Sequence, residues 1–316
     1  MKYYLGVDLG GTNIAVGIVN EDKELLETMS RPTGKNRSAA EIVEDIAALS
    51  SDLMTHQGAS CENLISVGVG VPGSVNKKLG TIVYANNLGF VNVPFVSLMK
   101  KHFSVPVYMD NDANVAALAE YTVGCGKECD SFILVTLGTG VGAGIIINHQ
   151  LVTGCNYGAG EIGHMVIDMH GKKCNCGRRG CYELYASATA LVEQAREAML
   201  WHPESKLWEL CQGREEDMNG KLLFDGVRAG DMISEDVLKH YVNYLSIGIL
   251  DLINMMQPDV LCIGGGISKA GNLILNPLKK LVAEKVYTRD DAIQTEIKIA
   301  ELDNGAGILG AAFLQK

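Results

Sequence analysis

Residues 3–19, YYLGVDLGGTNIAVGIV, and residues 132–148, FILVTLGTGVGAGIIIN, are two versions of one unit. Each is an apolar run, a glycine turn and a second apolar run, the pattern of two strands joined by a tight turn. At an offset of 128 positions, Val7, Leu9, Gly10, Ala15, Ile18 and Asn20 fall on identical residues. The competing explanation is chance likeness between two glycine-rich hairpins. Taken as a repeat, the pair predicts two similar α/β lobes, each opening with a hairpin whose turn faces a common cleft. A chain of 316 residues, 47% of them hydrophobic, is long enough to bury a core of that size.

The rest of the chain fills in each lobe. Ile42, Val43, Ile46, Leu49 and Leu53 have helical spacing over 39–56, with Ser38 as N-cap. A strand over 64–71 runs into Pro72-Gly73, a short helix is expected within 93–103, and a strand over 105–109 ends at Asp110-Asn111-Asp112 before an alanine-rich helix. Beyond the second hairpin come a helix over 188–202, a polar insertion of short helices to 233, a long buried helix over 235–256 and a strand over 259–263. A last strand over 295–300 and a small-residue helix from Asn304 close the chain. The expected division is a first lobe of residues 1–110, joined by the C-terminal helix 303–316, and a larger second lobe of residues 111–302.

The two hairpin turns share one chemistry. Asp8, Gly10, Gly11 and Thr12, like Gly138, Thr139 and Gly140, let backbone N–H groups approach an anion while threonine adds a donor. Two such loops suit a polyphosphate, and Asp8 at a strand end suits Mg2+ held through water. Neither loop is a Walker sequence, and neither precedes a helix, so the dinucleotide fingerprint fails its context. Gly264-Gly265-Gly266 offers a flat surface for a purine ring, or simply a turn that needs positive φ.

A third constellation lies between Tyr157 and Ser187. His164, Cys174, Cys176 and Cys181 form the ligand set of a closed tetrahedral zinc site, with Gly177 and Gly180 allowing the tight fold between the thiolates. Glu161 and Glu183 flank it, so a bound ion would hold two carboxylates in place to accept from sugar hydroxyls. His164 has a second ring nitrogen to offer substrate. Asp112 is the candidate base. It opens a helix, where capping is the ordinary job of an aspartate, but the helix N-terminus also keeps the carboxylate ionised and able to take a hydroxyl proton. Asn111 beside it suits sugar hydroxyls, at a strand end where ligand crevices open in α/β sheets. Gly73 and Asn87 lie in loops able to close on a small polar ligand, or in plain turns.

Composition narrows the class. A formal net charge of −10 excludes nucleic-acid binding through overall charge, and no apolar run is long enough to span a bilayer. The chain enters a strand pattern at once with no signal peptide, and its nine cysteines are an odd count. The expected setting is reducing and cytoplasmic.

These motifs together resemble the ROK family of sugar kinases and repressors, within the actin-like ATPase superfamily. The likeness runs over nearly the whole chain: DLGGTN from Asp8, VPG at Val71–Gly73, DNDAN from Asp110, LGTGVG from Leu137, GEIGHM around Glu161, the cysteine segment from Cys174, and GGG from Gly264. The resemblance implies two actin-like, ribonuclease H-like α/β lobes with a ligand cleft between them. It implies ATP-dependent phosphorylation of a hexose at its 6-hydroxyl, glucose first, as a step of carbohydrate metabolism and glycolysis. N-acetylmannosamine, mannose, fructose or allose are alternative substrates, and a non-catalytic sugar-sensing regulator is the alternative of another class. By resemblance Asp112 is the base; Gly73, Asn87, Asn111, Asp112, Glu161, His164 and Glu183 hold the sugar. His164, Cys174, Cys176 and Cys181 bind structural zinc. Asp8, Gly10, Gly11, Thr12, Gly138, Thr139, Gly140, Gly265 and Gly266 serve ATP and Mg2+. A homodimer or homotetramer is implied. ROK repressors carry an N-terminal helix-turn-helix, for which a loop starting at Asp8 leaves no room, so no nucleic-acid partner is expected.

Overall fold

Both glycine-turn hairpins form where the repeat places them. The computed structural model describes residues 1–315. It begins with β1 (Tyr3–Leu9), β2 (Asn13–Asn20) and β3 (Leu25–Pro32), an antiparallel meander. Helix α1 (Ala39–His56) follows, closed by a reciprocal cap: the Glu41 N–H donates to Ser38 Oγ and the Ser38 N–H donates to the Glu41 carboxylate. Next come β4 (Leu64–Val71), a flap of three antiparallel strands, β5 (Ser74–Asn76), β6 (Thr81–Ala85) and β7 (Phe90–Val93), a short α2 (Phe95–Met99), and β8 (Val107–Asn111), which leads into α3 (Asp112–Val123). Strands β4 and β8 run parallel to β1, giving the sheet order β3-β2-β1-β4-β8. The helix expected within 93–103 is thus a single turn, because β7 occupies its start.

The repeat is carried through in topology. Strands β9 (Phe132–Leu137), β10 (Val141–Ile147) and β11 (Gln150–Leu151) open the second sheet. The chain then builds α4 (Glu183–Ala186), α5 (Ala188–Trp201), α6 (Leu207–Leu210), α7 (Gly220–Arg228) and α8 (Met232–Met256), the last with its buried residues spread along one long stripe. Strand β12 (Val260–Gly264) lies parallel to β9, α9 (Asn272–Lys285) follows, and β13 (Glu296–Ile299) lies parallel to β12. The order β11-β10-β9-β12-β13 matches the first sheet position for position. Helix α10 (Ala306–Ala312) comes last; Lys316, included in the expected C-terminal helix, is outside the described residues. Among the described residues no helix is long and apolar enough to cross a membrane.

Contacts divide the chain into two compact units. One comprises Met1–Asp130, Gly144–Gly160 and the segment from Glu301 onward; the other comprises Ser131–Ala143 and Glu161–Ala300. The boundary expected at residue 110 therefore lies after Asp130, because α3 belongs to the first unit. Ala119 of α3 is buried with Ala306, Leu309, Ala312 and Phe313. Buried Glu120 accepts from the N–H groups of Glu301 and Leu302, tying α3 to the chain that leads into α10.

Small residues explain how α10 seats so closely. A Cβ at Gly6 or Gly68 would overlap the carbonyl of Ile308 or Ala311, and one at Gly310 would overlap the carbonyl of Val115. A side chain at Gly6 or Gly68 must push α10 off the sheet, and one at Gly310 must push it away from α3. Gly310→Leu is expected to cost about 3 kcal/mol or more, read as a lower urea midpoint.

Candidate active site

In the first unit, the loop after β1 is held by its neighbours. The Thr33 N–H donates to the Thr12 carbonyl at 2.8 Å, Thr33 Oγ1 donates to the Gly10 carbonyl at 2.7 Å, and the Gly10 N–H donates to the Asn13 carbonyl at 2.9 Å. Gly11 and Thr12 remain exposed at the tip. A Cβ at Gly11 would lie 2.8 Å from Asn87 Cβ, which places Asn87 of the flap on this loop. Asp8 is half-buried, and that burial raises its pKa above the ordinary carboxylate value. A Cβ at Gly307 would lie 2.6 Å from Asp8 Oδ2, so the first turn of α10 abuts this carboxylate. A divalent cation beside Asp8 would favour its charged form and offset that burial.

The β8–α3 junction carries the candidate base. The N-cap of α3 is Asn111, not Asp112: Asn111 Oδ1 accepts from the Ala113 N–H at 2.9 Å. Asp112 is the first helical residue and is exposed, with Oδ1 also accepting from the Ala113 N–H at 2.8 Å. Capping thus falls to the neighbour, and the second oxygen of Asp112 lies in a stabilising field at the helix start. Asn111 Nδ2 donates to the Gly73 carbonyl at 3.0 Å. Gly73 has φ +141°, and a Cβ there would overlap the Tyr84 carbonyl, so the turn into the flap needs glycine. The first unit therefore brings Gly73 to Asn111, and Asn87 to Gly11.

In the second unit, the loop after β9 is buttressed by α5. The Gly138 N–H donates to the Gly140 carbonyl at 3.0 Å, the Ala188 N–H donates to the Gly138 carbonyl at 2.9 Å, and Thr189 Oγ1 donates to the Thr139 carbonyl at 2.9 Å. Gly265 has φ +84°, and a Cβ there would overlap the Leu137 carbonyl, so the strand-end glycines lie against the same loop. Glu161 is exposed just before a single 3₁₀ turn, Ile162–His164, whose last N–H donates to the Glu161 carbonyl at 3.1 Å.

The cysteine segment closes on itself. The Cys174 N–H donates to the Arg178 carbonyl at 2.8 Å and the Gly177 N–H to the Cys174 carbonyl at 3.1 Å, with Gly177 at φ +92° and Gly180 at φ +69°. His164, Cys174, Cys176 and Cys181 each offer a ligand atom within 4.8 Å of the others. His164 Nδ1 stands 3.8 Å from Cys174 Sγ, and Cys176 Sγ stands 3.5 Å from Cys181 Sγ. Ligands around a tetrahedral zinc ion lie about 3.3–3.8 Å apart, so the residues fit that ion. The thiols are unlike one another. Burial raises Cys174 and pushes Cys181 up to about 12, whereas the Arg178 backbone N–H lowers Cys176. An ion would resolve the crowding of three such groups.

Glu183 joins the two chemistries of this unit. It opens α4, with Oε1 at 3.5 Å from His164 Nδ1 and 3.5 Å from Cys174 Sγ. A Cβ at Gly140 would lie 2.8 Å from its other oxygen, Oε2. One carboxylate thus spans from the ligand cluster to the glycine loop. No local pattern assigns a role to Thr33, Gly307 or buried Asp110: Thr33 and Gly307 act through partners distant in the chain, and so does the ion pair of Asp110 with Lys77.

The ROK family model matches residues 4–316. The glucokinase of Halalkalibacterium halodurans is 38% identical over 317 residues, covering 100% of this chain and 95% of that protein. The xylose repressor of Bacillus spizizenii is 30% identical over 286 residues, covering 90% of this chain and 70% of that protein. Among solved structures, the ROK family glucokinase from Streptomyces griseus in complex with glucose and AMPPNP is 34% identical, with a TM-score of 0.84 over 99% of this chain and 98% of that one.

Proposed function

Because the chain belongs to the ROK family, we propose that it transfers the γ-phosphoryl group of ATP to the 6-hydroxyl of a hexose, glucose in the first place. The observation that carries this reading is Glu183. It stands between a Cys3His cluster and a glycine loop, so a hydroxyl-binding carboxylate and a phosphate-binding backbone share a wall. Full-length likeness to a glucokinase and to a glucokinase structure holding glucose and AMPPNP supports the substrate pair.

The roles follow from chemistry. Asp112 takes the proton of the sugar hydroxyl as its oxygen attacks phosphorus. Gly73, Asn87, Asn111, Glu161, His164 and Glu183 bind and orient the sugar. Gly10 and Gly138 shape the two loops through their internal hydrogen bonds, and the N–H groups of Gly11 and Gly140, with the hydroxyls of Thr12 and Thr139, stabilise the charge developing on the phosphate oxygens. Gly265 and Gly266 take the adenosine side. Asp8 would hold Mg2+, which neutralises the phosphates when bound. His164, Cys174, Cys176 and Cys181 would hold zinc as a structural ion, keeping Glu161 and Glu183 in place. The reading extends to a cytoplasmic homodimer or homotetramer in glycolysis, its mass to be read by light scattering.

An ADP-release assay over glucose, N-acetylmannosamine, mannose, fructose, allose and xylose tests the reading. Turnover with glucose above the rest supports it. Preference for another hexose moves the substrate and keeps the reaction. Sugar binding without turnover favours a regulator, the reading toward which the likeness to a xylose repressor points.

Gly140→Ala probes the shared wall. Its methyl group would meet Glu183 Oε2. We expect KM to rise about tenfold for sugar and ATP together. A change confined to ATP would mean the carboxylate serves no sugar.

A further inference from the structure

Asp110 is wholly buried, yet the roles above leave it without work. Its Oδ1 accepts from the Asn111 N–H at 2.8 Å and from Asn114 Nδ2 at 3.0 Å. Its Oδ2 is met by the ammonium of Lys77. The Asn111 amide belongs to the peptide that precedes the Asn111–Asp112 pair, so Asp110 sets the direction from which Asp112 leaves the strand.

Lys77 comes from elsewhere. It follows β5 in the flap, three residues after the strand begins at Ser74. The flap is fastened to the β8–α3 junction at two points, Gly73 carbonyl to Asn111 Nδ2 and Lys77 to Asp110. The same flap carries Asn87, which lies on Gly11 of the phosphate loop. Lys77 also lines a cavity of about 330 Å³ with Lys78, Lys100 and Tyr108. Among the described residues, that lining contains no carboxylate to compete with Asp110 for the ammonium. A buried carboxylate whose one cation is removed is left uncompensated and must move or take a proton. Either outcome weakens its hold on the Asn111 amide.

We propose that Lys77 is a positioning residue for the phosphoryl transfer: through buried Asp110 it holds the Asn111–Asp112 segment so that the Asp112 carboxylate meets the sugar hydroxyl. The inference rests on the reading of Asp112 as the base. Displacements of about 1 Å from the reactive geometry lower rates by about 10²-fold, so a pair that touches no substrate can still govern kcat.

The test is steady-state kinetics of the full chain with its best sugar, at a temperature where circular dichroism shows each variant folded. Lys77→Met is expected to lower kcat by about 10- to 100-fold while sugar KM changes by less than about threefold. Lys77→Arg, which keeps the cation, should recover most of kcat. The double variant Lys77→Met/Asp110→Asn removes the uncompensated charge. It should recover the melting temperature and leave kcat low, since an amide there lacks the Lys77 tether. A kcat within twofold of wild type for Lys77→Met, or a double variant that recovers kcat along with its melting temperature, overturns the proposal. Should Lys77→Met not fold, Lys77→Gln and the double variant carry the same comparison. Asp112→Asn, run alongside, separates the premises: turnover retained there removes the base itself, whereas an inactive Asp112→Asn beside a fully active Lys77→Met removes only the role of Lys77.

Discussion

Asp112→Asn is expected to lower kcat by about 10³-fold or more while sugar still binds. The substitution preserves the local helix start. Asparagine fills the same volume, and its Oδ1 can accept the Ala113 N–H that Asp112 Oδ1 accepts at 2.8 Å. The helix cap is untouched, because Asn111 supplies it. The ability to take a proton is lost. Calorimetric titration with glucose should show heat of binding close to wild type, and ADP release should fall to background. A kcat within tenfold of wild type would mean that solvent or another group takes the proton.

Cys176→Ser has the second large effect: loss of the ion and of sugar affinity in one step. Serine cannot replace a thiolate in a closed Cys3His set, and its loss leaves three ligands for an ion that needs four. Glu183 Oε1 lies 3.5 Å from both His164 Nδ1 and Cys174 Sγ, so relaxation of the cluster moves this carboxylate directly. Sugar KM is expected to rise about 100-fold, the scale seen when groups around a metal are disturbed. Elemental analysis should find stoichiometric zinc in the wild type and almost none in the variant. The two losses need not track each other in a protein whose metal is decorative. Metal-free protein with unchanged sugar KM would therefore remove zinc from the account of sugar binding.

What the sequence shows, and what it hides, follows from distance along the chain. The hairpins at residues 3–19 and 132–148 are local, and their alternation of apolar runs around glycine is enough to place β1, β2, β9 and β10. Helix α1 is legible from Ile42, Val43, Ile46, Leu49 and Leu53, and from Ser38 at its N-cap. Strand β3 is hidden because only one face meets the core, so LETMSRP reads as polar surface. Helix α9 is hidden by Pro277, although Ile274, Leu278 and Val282 keep helical spacing and are buried. The end of the first unit is hidden because it is decided by α10 seating against α3, and no local pattern at residue 110 or 130 records that contact.

The same division runs through the candidate site. His164, Cys174, Cys176 and Cys181 lie close in sequence, and ligand chemistry alone picks them out; the structure gathers them within 4.8 Å. The sharing of the β8–α3 junction is less plain. Asn111 and Asp112 are both good capping residues, and only the backbone decides that Asn111 takes the cap and leaves Asp112 exposed. Lys77 gives no signal at all, since a lysine in a polar turn reads as solvated until a buried aspartate is found beneath it.

The most direct measurement is 31P NMR of the purified protein with ATP, Mg2+ and glucose, the product being compared with authentic glucose 6-phosphate. The account predicts a phosphate monoester on the 6-oxygen, growing in step with ADP and absent when Asp112→Asn is used. Inorganic phosphate as the sole new signal, an ester at another hydroxyl, or no loss of ATP with any hexose would contradict it.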